Sequence, residues 1–208
     1  MQVDESYNEW AAQYDSNRNK TRDAEGKMLR DMLQHFTGDT ILEMGCGTGK
    51  NAVWLQHRGR KLTCVDFSDG MLQQAKEKIR ASHVEFIKAD MTQSWDFAEG
   101  PYDLVTFSLV LEHIENLEPV LQKAVRVLSS GGLLYIGELH PFRQYSGSKA
   151  RFETAEGTQV VTCYDHHISH FVQPLLKAGL QLLSIEEVVD DEEGKSLPRV
   201  IGLLFQKP

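Results

Sequence analysis

Between residues 40 and 139 short apolar runs alternate with helical patterns, and this rhythm constrains the fold more than any other feature. The runs are TILEM (40–44), KLTCVDF (61–67), VEFIKA (84–89), YDLVTFS (102–108) and GLLYIGEL (132–139). Helices are expected over about 50–58, over about 69–80 with Ser68 or Asp69 as cap, and up to about 128 with Pro119 near the start of the last one. The runs are too apolar to have a wet face, so they predict a parallel sheet covered by helices on both sides.

Either side of that core the pattern changes. Residues 4–14 read as a short helix with Tyr7, Trp10, Ala11 and Tyr14 at helical spacing, and DSNRNKTRD as a polar break. A helix over about 24–36 follows, with a stripe of Met28, Leu29, Met32, Leu33 and Phe36. Beyond residue 140, HPFRQYSGSKARFETAEGTQ is polar and glycine-punctuated and reads as an insertion or lid. A helix is expected over about 166–178, and then LQLLSIEEVVD and RVIGLLFQ, joined by the short DEEGKSLP, predict an antiparallel pair. The expected fold class is α/β, a Rossmann-like doubly wound sheet of five parallel strands plus a terminal antiparallel hairpin.

With 208 residues, 41% of them hydrophobic, the chain can bury a core of its own. A formal net charge of −8 argues against a nucleic-acid partner, which needs a basic face. No apolar run approaches the ~18 residues of a membrane span, and MQVDESYNEW carries no secretory pattern. Cys46, Cys64 and Cys163 form no CxxC pair, which fits reduced thiols in the cytoplasm.

The chemistry is concentrated in TILEMGCGTGKN. A glycine-rich turn between a strand and a helix lets backbone approach a ligand, and a helix N-terminus offers free N–H groups. The spacing is G-x-G-x-G, whereas the dinucleotide fingerprint is G-x-G-x-x-G. Asp66 ends the second run about 20 residues on, where a carboxylate accepts from ribose hydroxyls. Glu43 would repel a diphosphate and suits a ligand that is cationic near the loop. Asp90 ends the third run, where it can accept from an adenine amino group. Together these describe adenosine recognition without a pyrophosphate, and they disfavour a nicotinamide-dependent reductase.

On ILEMGCGTGKN, LTCVDFSDGMLQQAK, FIKADM, YDLVTFSLVLEHI and VLSSGGLLYI, the chain resembles the class I S-adenosylmethionine-dependent methyltransferases, in particular the small-molecule, type 11/25-like members. The resemblance covers residues 38–140 closely and implies the strand order 3-2-1-4-5-7-6. It implies a single methyltransferase domain over 1–208, divided into an N-terminal helical cover (1–37), a cofactor-binding core (38–140), an insertion or lid (141–165), and a helix with the terminal hairpin (166–208). It implies S-adenosyl-L-methionine as cofactor, with S-adenosyl-L-homocysteine as product. Gly45, Cys46, Gly47 and Gly49 would form the turn against the methionine portion, with Glu43 beneath. Asp66 would accept from the ribose, Phe67 and Met71 would pack on the adenosine, and Asp90 with the Met91 backbone would hold the adenine edge. Ser108 and Leu109 would lie near the amino group and sulfur, His113 would shape the wall of the cofactor pocket, and Tyr14 and Arg22 would belong to the cover, with Asn19 and Arg22 able to reach the methionine carboxylate.

The acceptor site is expected at the C-terminal ends of the fourth and fifth strands. His140, Tyr145 and His113 are the candidate catalytic groups, His140 first because an imidazole titrates near neutrality. His140, Arg143, Tyr145, His166 and His167 are the candidate substrate contacts, and Arg143 in the cationic cluster with Lys149 and Arg151 suits an anionic acceptor. No metal is expected. The partner is expected to be a small molecule methylated on O or N, with no nucleic acid and no membrane, the protein being a monomer or homodimer. The alternatives are a protein or peptide acceptor, or a non-catalytic binder of the cofactor.

Overall fold

The structure is a computed structural model that describes residues 7–8, 10–11, 14–16, 19–154, 157–192 and 195–208. Seven strands form one sheet: β1 (Thr40–Met44), β2 (Lys61–Asp66), β3 (Val84–Lys88), β4 (Tyr102–Ser108), β5 (Leu128–Leu139), β8 (Gln181–Glu192) and β9 (Lys195–Gln206). Their order is β3-β2-β1-β4-β5-β9-β8. The first five are parallel, and β9 runs antiparallel between β5 and β8. This is the expected sheet, with β8 and β9 as the terminal hairpin. β6 (Arg151–Thr154) and β7 (Gly157–Val160) pair separately within the segment after β5.

The helices are α1 (Lys20–Met32), α2 (Ala52–Leu55), α3 (Asp69–Lys78), α4 (Leu117–Val127), α5 (Pro141–Tyr145) and α6 (Ile168–Lys177), with a 3-10 turn over Leu111–His113. Side chains alternate across each strand, so neighbouring residues feed different cores. Ile41, Leu62, Leu104 and Tyr135 pack with Leu29 of α1, with Leu33 that caps its C-terminus, and with Leu72 of α3. Leu42, Val105, Leu134 and Ile136 pack on the other face with Leu121 of α4 and Phe171 of α6. β1 and β2 are buried apart from their first residues, which is why their sequences lack polar alternation.

Three boundaries differ from expectation. The polar break already contains the start of α1, because Asn19 accepts from the backbone N–H groups of Thr21 and Arg22 at 3.0 Å and caps the helix. β5 begins earlier, at Leu128. The segment after β5 is not irregular throughout, since it holds α5 and the β6–β7 hairpin. Tyr7, Asn8 and Trp10 are helical, and the rest of the helix expected over 4–14 lies outside the described residues. No helix among the described residues is long and apolar enough to cross a membrane.

Candidate cofactor and acceptor cavities

The turn after β1 is built by positive φ at Gly45 (72°), Gly47 (53°) and Gly49 (78°). The N–H groups of Gly45 and Cys46 donate to the Val65 carbonyl at 2.8 and 3.0 Å, which ties the turn to β2. Asp66 closes it from the other side, accepting from Gly47 N–H at 2.8 Å and Ser68 N–H at 2.9 Å. The three glycines do different work. A Cβ on Gly47 would meet nothing within 4 Å, while one on Gly49 would stand 3.1 Å from the Ala75 Cβ of α3. Gly49 therefore seats the turn on α3, and it is Gly45, Cys46 and Gly47 that face the cavity there.

That cavity has a volume of about 250 Å³. It gathers Tyr14, Arg22, Glu43, Asp66, Phe67, Met71, Asp90, Met91, Ser108, Leu109 and His113, so of the residues expected at the cofactor all but Gly49 and Asn19 lie on its wall, Asn19 lining a neighbouring cavity. Glu43 is 3% exposed, and burial pushes its carboxyl up to about 8, opposed by a hydrogen bond from the Cys64 thiol. Burial also raises Asp66, against the hydrogen bonds of Ser68 and Gly47. Asp90 is exposed and accepts from Thr92 N–H and Oγ1 at 2.8 Å.

A third buried carboxylate lies outside the sequence motifs. Glu25 of α1 accepts from Asn51 Nδ2 at 3.0 Å and from the Tyr135 hydroxyl at 3.2 Å, and it lines the same cavity. Its signal was an acid on the apolar face of α1. Glu138 is similar: it sits inside β5, accepts from the N–H groups of Val110 and Leu111 at 2.9 and 2.8 Å, and is pushed up to about 8 by burial and then by Glu112.

Tyr7 and Tyr14 of the N-terminal segment line the cavity, and their neighbours are tied to the turn and to α3. Asn8 accepts from Ser68 Oγ at 2.7 Å and from Gly70 N–H at 3.0 Å. Asp15 accepts from Thr48 Oγ1 at 2.9 Å and pairs with Lys78. The Arg22 guanidinium carbon lies 4.0 Å from the Tyr14 ring centroid and its Nη1 donates to the Tyr14 carbonyl. Burial, partly offset by Arg22, pushes the Tyr14 phenol up to about 12. Tyr7 and His113 are joined through Nε2 at 2.8 Å, and His113 Nδ1 lies 2.7 Å from the Thr162 carbonyl. A carbonyl only accepts, so Nδ1 carries the hydrogen and, in the neutral ring, Nε2 accepts from the Tyr7 hydroxyl.

Glu112, His113 and Cys163 bring ligand-type atoms within 4.8 Å of one another. Both His113 nitrogens are engaged as just described, and burial followed by Glu112 pushes the Cys163 thiol up to about 12. The group forms a hydrogen-bonded wall.

A second cavity of about 310 Å³ adjoins the first, sharing Tyr7, Tyr14, Arg22 and Leu109 with it. Arg143 reaches it, as do Lys149 and Arg199. Of Arg151 the structure describes only the backbone. The expected histidine centre is not assembled. His140 caps α5, with Nδ1 accepting from Phe142 N–H at 3.1 Å and Nε2 2.7 Å from Glu187 Oε1. Pro141 begins the helix, so a capping acceptor is needed just before it. Tyr145 is 54% exposed and bonded to His167 Nδ1, outside both cavities. His166 is buried, with Nε2 2.8 Å from the Ile114 carbonyl, and burial lowers its pKa. His167 is the N-cap residue of α6.

Residues 42–136 match the family model described as a methyltransferase domain. The chain is 30% identical over 113 residues to demethylmenaquinone methyltransferase of Leptospira interrogans, covering 51% of this chain and 45% of that protein. It is 28% identical over 137 residues to malonyl-[acyl-carrier protein] O-methyltransferase of Serratia marcescens, covering 66% and 52%. The chain thus spans about half the length of these curated relatives. Among solved structures, N-methyltransferase NodS of Bradyrhizobium japonicum, in complex with S-adenosyl-L-homocysteine, superposes with a TM-score of 0.74 at 18% identity, covering 100% of each chain. That likeness is one of fold.

Proposed function

We propose that this chain is a class I S-adenosylmethionine-dependent methyltransferase, which its methyltransferase-domain match over residues 42–136 supports, and that it transfers a methyl group from S-adenosylmethionine to an O or N atom of a small molecule. The observation that carries the reading is the set of three buried carboxylates, Glu25, Glu43 and Asp66, on one cavity whose glycine turn leaves backbone open at Gly47. Among the described residues Glu43 has no cationic partner, so it suits a ligand that brings its own positive charge near the turn.

The residues fit the cofactor part by part. Asp66 would hold the ribose hydroxyls, Phe67 and Met71 the adenosine faces, and Asp90 with the Met91 backbone the adenine edge. Gly45, Cys46 and Gly47 would seat the methionine portion, and Arg22, held over Tyr14, its carboxylate. The cofactor supplies a methyl group already activated on a positively charged sulfur. The chain's part is then to bind, to align and to exclude water; alignment alone is worth up to ~7–11 kcal/mol of barrier. Tyr7, Trp10 and Tyr14 exclude water over the cavity, and Asn8 and Asp15 hold that cover to the turn and to α3. Where a base is needed, a step worth typically 10²–10⁴-fold, the proton would pass from the acceptor to the Tyr7 oxygen as the Tyr7 hydroxyl hands its own to His113 Nε2, which accepts from it.

Calorimetry with S-adenosylmethionine, S-adenosylhomocysteine and NAD, followed by assay of S-adenosylhomocysteine release with a panel of alcohols and amines, tests this. Tight binding of the adenosyl compounds and acceptor-dependent release are expected. Preferential binding of NAD would refute the cofactor assignment.

A further inference from the structure

We propose that Glu25 holds the ammonium group at the methionine end of the cofactor, so that α1 grips that end by both of its charges. This rests on the first cavity being the cofactor site.

The methionine end of S-adenosylmethionine is a free amino acid, with a carboxylate and an ammonium on one carbon. Arg22 and Glu25 stand three residues apart on α1, which makes their side chains neighbours on one face of the helix, and both line the first cavity. They are opposite in sign and buried, at 8% and 2% exposed. A cation and an anion side by side on one helix match the two charges of an amino acid, the carboxylate going to Arg22 and the ammonium to Glu25.

The fold makes a seat for this carboxylate. Oε1 accepts from the Tyr135 hydroxyl at 3.2 Å and Oε2 from Asn51 Nδ2 at 3.0 Å. Gly137 leaves the room: a Cβ there would stand 2.6 Å from Glu25 Oε1 and 2.4 Å from the Tyr135 hydroxyl. These partners fix the group and are neutral. Among the described residues no cation forms an ion pair with Glu25, and Lys50, the cation that bears on it, pairs with Asp23 at 2.6 Å. Burial raises the Glu25 pKa, opposed by Asn51, Ser108 and Tyr135 and then by Lys50. Withdrawing a carboxylate from water is costly unless a positive charge joins it, and a ligand ammonium supplies that charge. A carboxylate accepts about four hydrogen bonds, so the two bonds from Tyr135 and Asn51 leave capacity for it.

Ser108 offers a second acceptor. It ends β4, lines the same cavity and bears on Glu25, yet its buried hydroxyl has no hydrogen-bond partner among the described residues. An ammonium carries several donors, and one lying between Glu25 and Ser108 satisfies both.

The test is calorimetry on the full chain with S-adenosylhomocysteine, its analogue bearing hydrogen in place of the α-amino group, and methylthioadenosine, which lacks the amino-acid end. S-adenosylhomocysteine should bind at least about tenfold tighter than the deamino analogue, the size of a lost bond to a charged group. Glu25→Gln keeps the shape, and Asn51 can turn its amide to meet the new one. It should cut S-adenosylhomocysteine affinity about tenfold and leave the other two ligands unchanged within about twofold, a split that a merely structural role does not produce. Ser108→Ala should show the same split at about threefold. Binding of S-adenosylhomocysteine and the deamino analogue by the parent within about threefold overturns the proposal, whether or not a variant folds. Equal weakening of all three ligands in Glu25→Gln overturns it too. Failure of all three to bind the parent strikes the cofactor reading instead.

Discussion

Replacing Glu43 by Gln tests whether a buried proton, exchangeable for a cationic ligand, sits beneath the glycine turn. Burial raises the carboxyl from 4.5 to about 8. Below 4.5 the folded and unfolded chains both hold this proton. Between 4.5 and about 8 only the folded chain holds it, so stability falls as pH rises, by up to about 1.4 kcal/mol per unit; above about 8 the dependence ends. Gln has no proton to lose. The variant should therefore gain on the parent by about 2–3 kcal/mol between pH 5.5 and 7.5, an order-of-magnitude figure. Glu138 lies in the same range but is present in both proteins and cancels in the difference. Urea unfolding of both proteins at a series of pH values, followed by tryptophan fluorescence, measures it. Parallel curves, with a difference constant to about 0.5 kcal/mol, would refute the argument. A second arm uses ligands: a sulfonium beside Glu43 expels the proton, so affinity for S-adenosylmethionine relative to S-adenosylhomocysteine should rise from pH 6 to 8, by at most about tenfold per unit. In Glu43→Gln that ratio should be flat.

Two further substitutions separate the roles of the turn and the cover. Gly49→Ala should destabilise the fold by about 1–3 kcal/mol, from positive φ and the contact with Ala75, yet leave S-adenosylhomocysteine affinity of the folded protein unchanged. Gly47→Ala, also at positive φ, should likewise cost about 1 kcal/mol of stability, but because it meets no protein atom and faces the cavity it should in addition weaken that affinity, and calorimetry on the folded protein distinguishes the two. Asn8→Ala removes two hydrogen bonds to the α3 N-terminus and should cost between about fivefold and about 150-fold in S-adenosylhomocysteine affinity, as a net of roughly 0.5–1.5 kcal/mol per bond implies. An unchanged affinity would mean that the N-terminal segment does not cover the ligand.

The parts of the site legible in the sequence are those whose position follows from the strand order alone. Glu43, Asp66 and Asp90 stand at or next to the C-terminal ends of parallel strands, so naming the strands brings them together. Their company is set by packing between distant segments, which local pattern does not encode. Glu25 belongs to the cavity because α1 lies on the sheet face that carries Tyr135, 110 residues away. Arg199 belongs to the second cavity because β9 inserts beside β5, bringing the end of the chain to Thr21. His140 shows the opposite error. Its chemistry suggested a base, but the residue before a helix-starting proline is first of all a cap, and Glu187 on β8 takes its other nitrogen. A titratable side chain is available for catalysis only after the backbone groups around it are satisfied. By that standard His113 is the better placed imidazole, because one nitrogen is fixed by the Thr162 carbonyl while the other meets the cavity through Tyr7.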